Sequence, residues 1–300
     1  MKKPNFFILG APKCGTTSLV RWLSEHPNIF IPFLKEPHYF NFDGLRGTKT
    51  LEEYELLFQD AKPHHIAVGE GSTNYLFSRV AVPKILEYNP EAKFIVSIRN
   101  PVEMAPALHA EEVWQGREDV LDFEKAWRLQ EARREGKFLS KAAQKYPQRL
   151  QYGPYCRLGE QLQRLFSIVP RDRVLVLVLD DIAENPRREY LKVLEFLGVP
   201  DDGRTEFPVY NRRKAPRSRL ISHILLFLSA NDFTRRVGIR YPKLVRIARW
   251  LRKVNWEPVQ PKPLSPKMRA ELVEYFKEDI HLLEDLLQRD FSHWLKVEPS

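Results

Sequence analysis

Between Phe6 and Leu19 the chain reads FFILGAPKCGTTSL, an apolar run that breaks into glycine, proline, lysine and cysteine before two threonines. Residue types in that order suit the holding of an oxyanion. Phe6 to Leu9 reads as a buried strand closed by Gly10, and TSLVRWLSEHP carries apolar residues at helical spacing up to Pro27. A strand, a glycine-bearing loop and a helix N-terminus would turn the N–H groups of Gly15, Thr16 and Thr17, and the positive end of the helix dipole, onto one anion. Lys13 adds a full charge, and phosphate or sulfate is the natural guest. A nucleoside triphosphatase loop, G-x-x-x-x-G-K-[ST], has its lysine directly after the second glycine. Here Gly10 and Gly15 keep that spacing, but Thr16 stands at the lysine's place and the lysine has moved inside the loop. Lys13 there can meet a group bridging a nucleotide and a transferring moiety, which suits a two-group phosphoanhydride better than a triphosphate with its metal. The dinucleotide fingerprint G-x-G-x-x-G is absent.

Three other stretches could carry chemistry. KEPHYF, residues 35 to 40, offers Glu36 and His38 as proton acceptors, and in an extended segment residues two apart face the same side. Arg99 ends the apolar run FIVSI, and its planar fork suits bidentate binding of a phosphate. VLVLVLDDI ends in Asp180 and Asp181, which could be the magnesium partner of a triphosphatase loop and so make the chain a P-loop kinase or NTPase. Against that, no serine or threonine follows the loop lysine, and no metal is expected.

These residues need a scaffold. Strands are expected at Phe6 to Leu9, Ile66 to Gly69, Phe94 to Ile98 and Val174 to Leu179. Helices are expected at Thr17 to Glu25, Leu51 to Phe58, Val80 to Tyr88, Phe123 to Glu135, Leu158 to Ser167, Arg188 to Leu197 and Pro266 to Gln288. Alternation of this kind predicts an α/β fold, a central parallel sheet flanked by helices with a helical C-terminal part. In such sheets ligands sit at the carboxyl ends of the strands, where the anion loop, Arg99 and Asp180 all fall.

With 300 residues, 43% of them hydrophobic, the chain is expected to form one domain over 1–300, with a basic helical lid or acceptor region at about 204–260. The net charge is +9, and between Arg204 and Lys253 stand 14 Lys and Arg against only Glu206 and Asp232. In that region Lys243, Arg246, Arg249 and Arg252 recur every third residue opposite Leu244, Ile247 and Leu251, an amphipathic basic helix. Such a surface could draw in an anionic cofactor or acceptor, a membrane or nucleic acid. Few aromatic residues are interleaved there, which argues against nucleic acid. Two cysteines, Cys14 and Cys156, suggest neither a disulfide framework nor a metal site. The opening apolar stretch is about half as long as a signal h-region needs, and no stretch approaches a transmembrane span. A cytoplasmic location is therefore expected, with peripheral membrane contact left open.

PKCGTTSL resembles the 5′-phosphosulfate loop of the sulfotransferases that use 3′-phosphoadenosine 5′-phosphosulfate (PAPS). KEPHYF, GEGSTNYL at 69 to 76, FIVSIRNPVE at 94 to 103, FLGV at 196 to 199 and the ending LVEYFKEDIHLLEDLLQRDFSHWL follow in the order that family shows. The likeness runs over nearly the whole chain and is closest to the bacterial and heparan-sulfate-type branch, with a P-loop-type three-layer fold. It implies Lys13 at the leaving oxygen, a donor cradle formed by Lys13, Cys14, Gly15, Thr16, Thr17 and Ser18, and Arg99 on the 3′-phosphate. It favours Glu36 as the base, with His38 second. Arg212, Arg213, Lys214 and Arg217 fall where family members close a basic loop over the nucleotide. The implied activity is sulfuryl transfer from PAPS to a hydroxyl or amine of a small-molecule, lipid-like or saccharide acceptor. Three positions depart from the pattern: Gly71 where some relatives carry lysine, Ala107 for a serine, and Met104 at a commonly basic place. They leave a catalytically impaired homologue that binds the nucleotide as the alternative.

Overall fold

The computed structural model describes residues 2–34, 36–44, 47–48, 50–210, 214–216, 256–258 and 263–297. The chain divides into two compact units, one of Met1–Met104, Cys156–Asn211 and Glu271–Ser300, the other of Ala105–Tyr155 and Arg212–Ala270.

The first unit holds a five-stranded sheet of β1 (Phe6–Gly10), β2 (Ile29–Phe30), β3 (Ala67–Gly71), β4 (Lys93–Ile98) and β5 (Val174–Val178). Its order is β2-β3-β1-β4-β5, and every pair is parallel. The helices that follow in sequence are α1 (Thr16–Ser24), α2 (Leu51–Leu56), α3 (Ala81–Tyr88) and α4 (Pro101–Trp114). Then come α5 (Phe123–Arg128), α6 (Gln130–Arg134), α7 (Tyr152–Cys156), α8 (Leu158–Phe166), α9 (Leu179–Glu184), α10 (Pro186–Leu197) and α11 (Pro266–Leu287).

β1 is central and buried along its whole length, as its unbroken apolar run requires. Alternate residues serve opposite faces. Phe6 and Ile8 join Ile95, Leu177, Leu19, Leu23, Val193 and Leu194 in a core beneath α1 and α10. Phe7 points to the other face, where its ring meets those of Phe40 at 6.0 Å and Phe94 at 6.1 Å. Phe40 also packs edge-on against Tyr54 and Tyr75, so an aromatic cluster anchors the KEPHYF segment to the sheet.

Among the described residues of the second unit are buried ion pairs. Arg133 meets Glu118 through two nitrogens at 2.7 and 2.8 Å, and the Tyr152 hydroxyl donates to the same carboxylate at 2.6 Å. Glu112 is held by Arg117 and by Arg149, whose Nη2 lies 2.6 Å from it. Burial alone would raise the Glu112 carboxyl, but the two guanidinium groups outweigh it and hold it below the usual carboxylate range. β6 (Lys214–Pro216) and β7 (Trp256–Pro258) form an antiparallel pair.

The expected helix from Phe123 to Glu135 breaks at Leu129 into α5 and α6. α4 is unannounced in the sequence because Pro106 reads as a helix breaker. Asn100 starts it nonetheless, its side chain accepting the Val102 N–H at 2.9 Å. Among the described residues no helix is long and apolar enough to cross a membrane.

Candidate active site

The anion loop runs from the end of β1 into α1. Gly10 has φ +142°, and a Cβ there would lie 2.5 Å from the Thr73 carbonyl oxygen, so only glycine fits the close approach. Lys13 at φ +65° and Gly15 at φ +81° are both left-handed, which curls the loop. The N–H groups of Gly15 and Thr16 are accepted by no other described residue, and Gly15 is the N-cap of α1 without a side-chain cap. Uncapped donors at a helix start are what an anion needs. The loop is braced from behind: the Ser97 hydroxyl donates to the Cys14 carbonyl at 2.5 Å, and Ala11 N–H donates to Ser97 O at 2.7 Å. Arg99, just past the end of β4, places Nη1 3.4 Å from the Lys13 carbonyl. The sheet thus brings Lys13 and Arg99, far apart in sequence, to one edge.

Cys14 contributes backbone only. Its thiol is fully buried, 3.9 Å from the Met104 sulfur, and burial pushes it up to about 12. This packing also accounts for Met104, which is fully buried against the loop.

Glu36 and His38 do meet, His38 Nε2 lying 3.2 Å from Glu36 Oε2. They do so by a route other than an extended segment. Both are left-handed, at φ +59° and +49°, and the tight turn folds the imidazole back on the carboxylate. The Glu36 side chain is 31% exposed and that of His38 only 4%, so an acceptor can reach the carboxylate but not the ring. With Nε2–H donating to Glu36, Nδ1 is a buried lone pair with no partner among the described residues.

Near this pair lies Glu70, which stands in the sequence within the stretch GEGSTNYL. It is buried on β3, in register with Phe7 and so on the aromatic face. Three hydroxyls donate to it: Ser72 at 2.6 Å, Tyr75 at 2.8 Å and Tyr54 at 3.3 Å. Burial above all, with a smaller push from nearby Glu36, raises its carboxyl to about 7 against the pull of these bonds. Burial, and then the charge of Glu70, push the Tyr54 and Tyr75 phenols well up, so both remain donors. The buried Glu–Tyr cluster is the part of the site that composition and spacing did not disclose; a carboxylate on a strand flanked by glycines was the one available signal.

A strand, an uncapped helix start, a lysine in a braced loop and a partly exposed carboxylate can now be set beside known proteins. The profile of the sulfotransferase domain matches residues 3–212. The chain belongs to the sulfotransferase family. Mouse carbohydrate sulfotransferase 15 is 27% identical over 248 residues, covering 65% of this chain and 44% of its own length. The chain therefore spans less than half of that curated relative. The crystal structure of a sulfotransferase from Alicyclobacillus acidocaldarius superposes with a TM-score of 0.70 at 27% identity, covering 99% of this chain and all of the other. A mouse sulfotransferase complexed with PAP shares the fold, with a TM-score of 0.50 at 13% identity over 96% of this chain and 90% of its own.

Three further features of this sulfotransferase chain bear on the site. Residues 200 to 210 form a strap along α1: Trp22 Nε1 donates to Pro208 O at 3.1 Å, Phe207 packs edge-on to Trp22, and Tyr210 N–H donates to Ser18 Oγ at 3.0 Å. Ser18 is therefore engaged by the chain just before the basic stretch. Arg212, Arg213 and Arg217 lie outside the described residues, as does the basic helix expected around Lys243 to Arg252; Lys214 is described only as backbone of β6.

Asp180 and Asp181 begin α9 rather than ending a strand. Trp294 Nε1 donates to Asp180 at 2.8 Å, and both terminal nitrogens of Arg289 hold Asp181, keeping its carboxyl below the usual range. Both acids anchor the C-terminal segment.

Gly71 has a packing reason. In parallel register with Ile8 it faces α1, and a Cβ there would lie 2.8 Å from Val20 Cγ2. Gly71→Ala or Gly71→Lys is expected to destabilise the fold by about 1–3 kcal/mol through overpacking. Thermal unfolding measures it, and an unchanged Tm in Gly71→Ala would show that α1 has room.

Proposed function

We propose that the chain transfers a sulfuryl group from PAPS to a hydroxyl or amine, with a saccharide as the first acceptor class to test. The observation that carries this reading is the meeting of uncapped Gly15 and Thr16 N–H groups, Lys13 and Arg99 at the ends of β1 and β4, with the partly exposed carboxylate of Glu36 on a loop tied to the residue after β3 through the His38 N–H and Ser72. The site fits the donor chemically: the α1 start would hold the 5′-phosphosulfate, and Arg99 the 3′-phosphate that separates this nucleotide from ordinary adenine nucleotides. Membership of the family and a fold shared with a PAP-complexed sulfotransferase support the donor. Likeness to a carbohydrate sulfotransferase supports the acceptor class.

In the transfer, the acceptor atom bonds to sulfur while the bond from sulfur to the bridging oxygen breaks, its electron pair staying on the 5′-phosphate. Lys13 meets that growing charge, and Glu36 takes the acceptor's proton, steadied by His38. Positioning and charge do the work, without a covalent enzyme intermediate. In this reading residues 1–300 are one sulfotransferase domain, and the segment at 204–260 is its basic lid or acceptor region. There Arg212, Arg213, Lys214 and Arg217 add the phosphate contacts that Ala107 and Met104 do not provide. The strap that ends on Ser18 supports this, since the chain enters the basic stretch two residues beyond Tyr210. The cytoplasm is the proposed compartment.

The test is thermal unfolding with 3′,5′-adenosine bisphosphate beside 5′-AMP and magnesium ATP. Bisphosphate at 100 times its Kd is expected to add about 2.7 kcal/mol and raise Tm by several degrees. A rise with magnesium ATP alone would replace this reading with a kinase or NTPase. No rise with any of them would mean that the fold has lost its donor.

A further inference from the structure

We propose that Glu70 is a positioning residue for Glu36, acting through two hydroxyls on the backbone of the loop that carries it. The inference rests on the sulfotransferase reading for its functional meaning and on geometry for its substance. A carboxylate is among the costliest groups to bury, and among the described residues no lysine or arginine pairs with Glu70. Its compensation is three hydroxyl donors, and two of those hydroxyls have a second task. Ser72 Oγ, which donates to Glu70 at 2.6 Å, accepts the His38 N–H at 3.0 Å. Tyr75 Oη, which donates to Glu70 at 2.8 Å, accepts the Phe40 N–H at 3.3 Å.

An ionised carboxylate can only accept, so it orients each hydroxyl hydrogen toward itself and each hydroxyl lone pair toward the loop. A neutral Glu70 could donate instead and would turn a hydroxyl round. Two backbone N–H groups are thereby fixed within four residues of Glu36, on a stretch where Glu36 and His38 sit in the left-handed conformation. Such backbone persists only where its surroundings over-determine it. The groups facing Glu70 are Ser72 and Tyr75 from the loop after β3, Tyr54 from α2 and the like charge of Glu36. The carboxyl stands near 7, raised first by burial, so the clamp responds to pH in the working range.

The test is residue-resolved amide exchange of the full chain, with 3′,5′-adenosine bisphosphate as the probe of the anion loop. In the wild type, protection of the His38 and Phe40 amides, corrected for intrinsic exchange, should rise as pH is raised through about 7. In Glu70→Gln it should be about tenfold lower and flat with pH, while the amides of β1 and α1 and the response to bisphosphate stay as in the wild type. Tyr75→Phe keeps the ring and should release Phe40 without His38. Where turnover is found, Glu70→Gln should lower kcat about tenfold with KM for PAPS unchanged. Protection that is unaltered in both variants, or lost evenly across β1, β3 and α1, would overturn the proposal. A wild type that ignores bisphosphate would overturn the sulfotransferase reading instead, and the exchange data would still decide on Glu70.

Discussion

Glu36→Gln is expected to lower kcat about 10²–10⁴-fold while leaving Tm and bisphosphate affinity at wild-type values. Glutamine keeps the shape and can still accept from His38 Nε2, so the loop should hold its turn. What it cannot do is take a proton. The Glu36 side chain is 31% exposed and meets solvent at the sheet edge, so the lost charge is not a loss of buried packing. His38→Ala is the discriminating companion. With only 4% of its side chain exposed, His38 cannot meet an acceptor directly, and its removal should cost less than the loss of Glu36. Initial rates at saturating PAPS across an acceptor panel check both. A Glu36→Gln enzyme within a few-fold of the wild type, beside an inactive His38→Ala, would transfer the base's role to the histidine.

Lys13→Ala is expected to lower kcat/KM about 10²–10³-fold, or about 3–4 kcal/mol of transition-state stabilisation, because a fixed charge at the leaving oxygen acts mainly when that oxygen becomes charged. Alanine is the right probe here. Lys13 sits at φ +65°, a conformation that costs alanine and lysine alike, whereas glycine would relax the loop and confuse charge with backbone. Lys13→Arg should recover little, since the guanidinium is broader and the loop around it is braced by Ser97 and Arg99. Turnover within tenfold of the wild type in Lys13→Ala would remove the lysine from the transfer step.

Much of this was legible in the chain because it is local. β1, the loop and α1 lie within 19 consecutive residues, Phe6 to Ser24, and an apolar run, two glycines and a helical period suffice to announce them. Glu36 could be named from its own hexapeptide. α4 is hidden by Pro106, and β2, at two residues, is too short to carry a period. The left-handed turn at Glu36 and His38 is not legible in the sequence, because such backbone at non-glycine residues has no signature in residue type.

The sequence by itself determined the anion loop, the α/β alternation and the pair of candidate bases, all of which depend on neighbours within a turn or a strand. Only the tertiary structure decided that Glu70 lies near Glu36, that Arg99 meets the Lys13 carbonyl, that Tyr210 rests on Ser18, and that Asp180 and Asp181 hold Trp294 and Arg289. Those pairs stand 34 to 192 residues apart. Strand order and register choose which distant residues become neighbours, and burial then sets what a carboxylate among them can do.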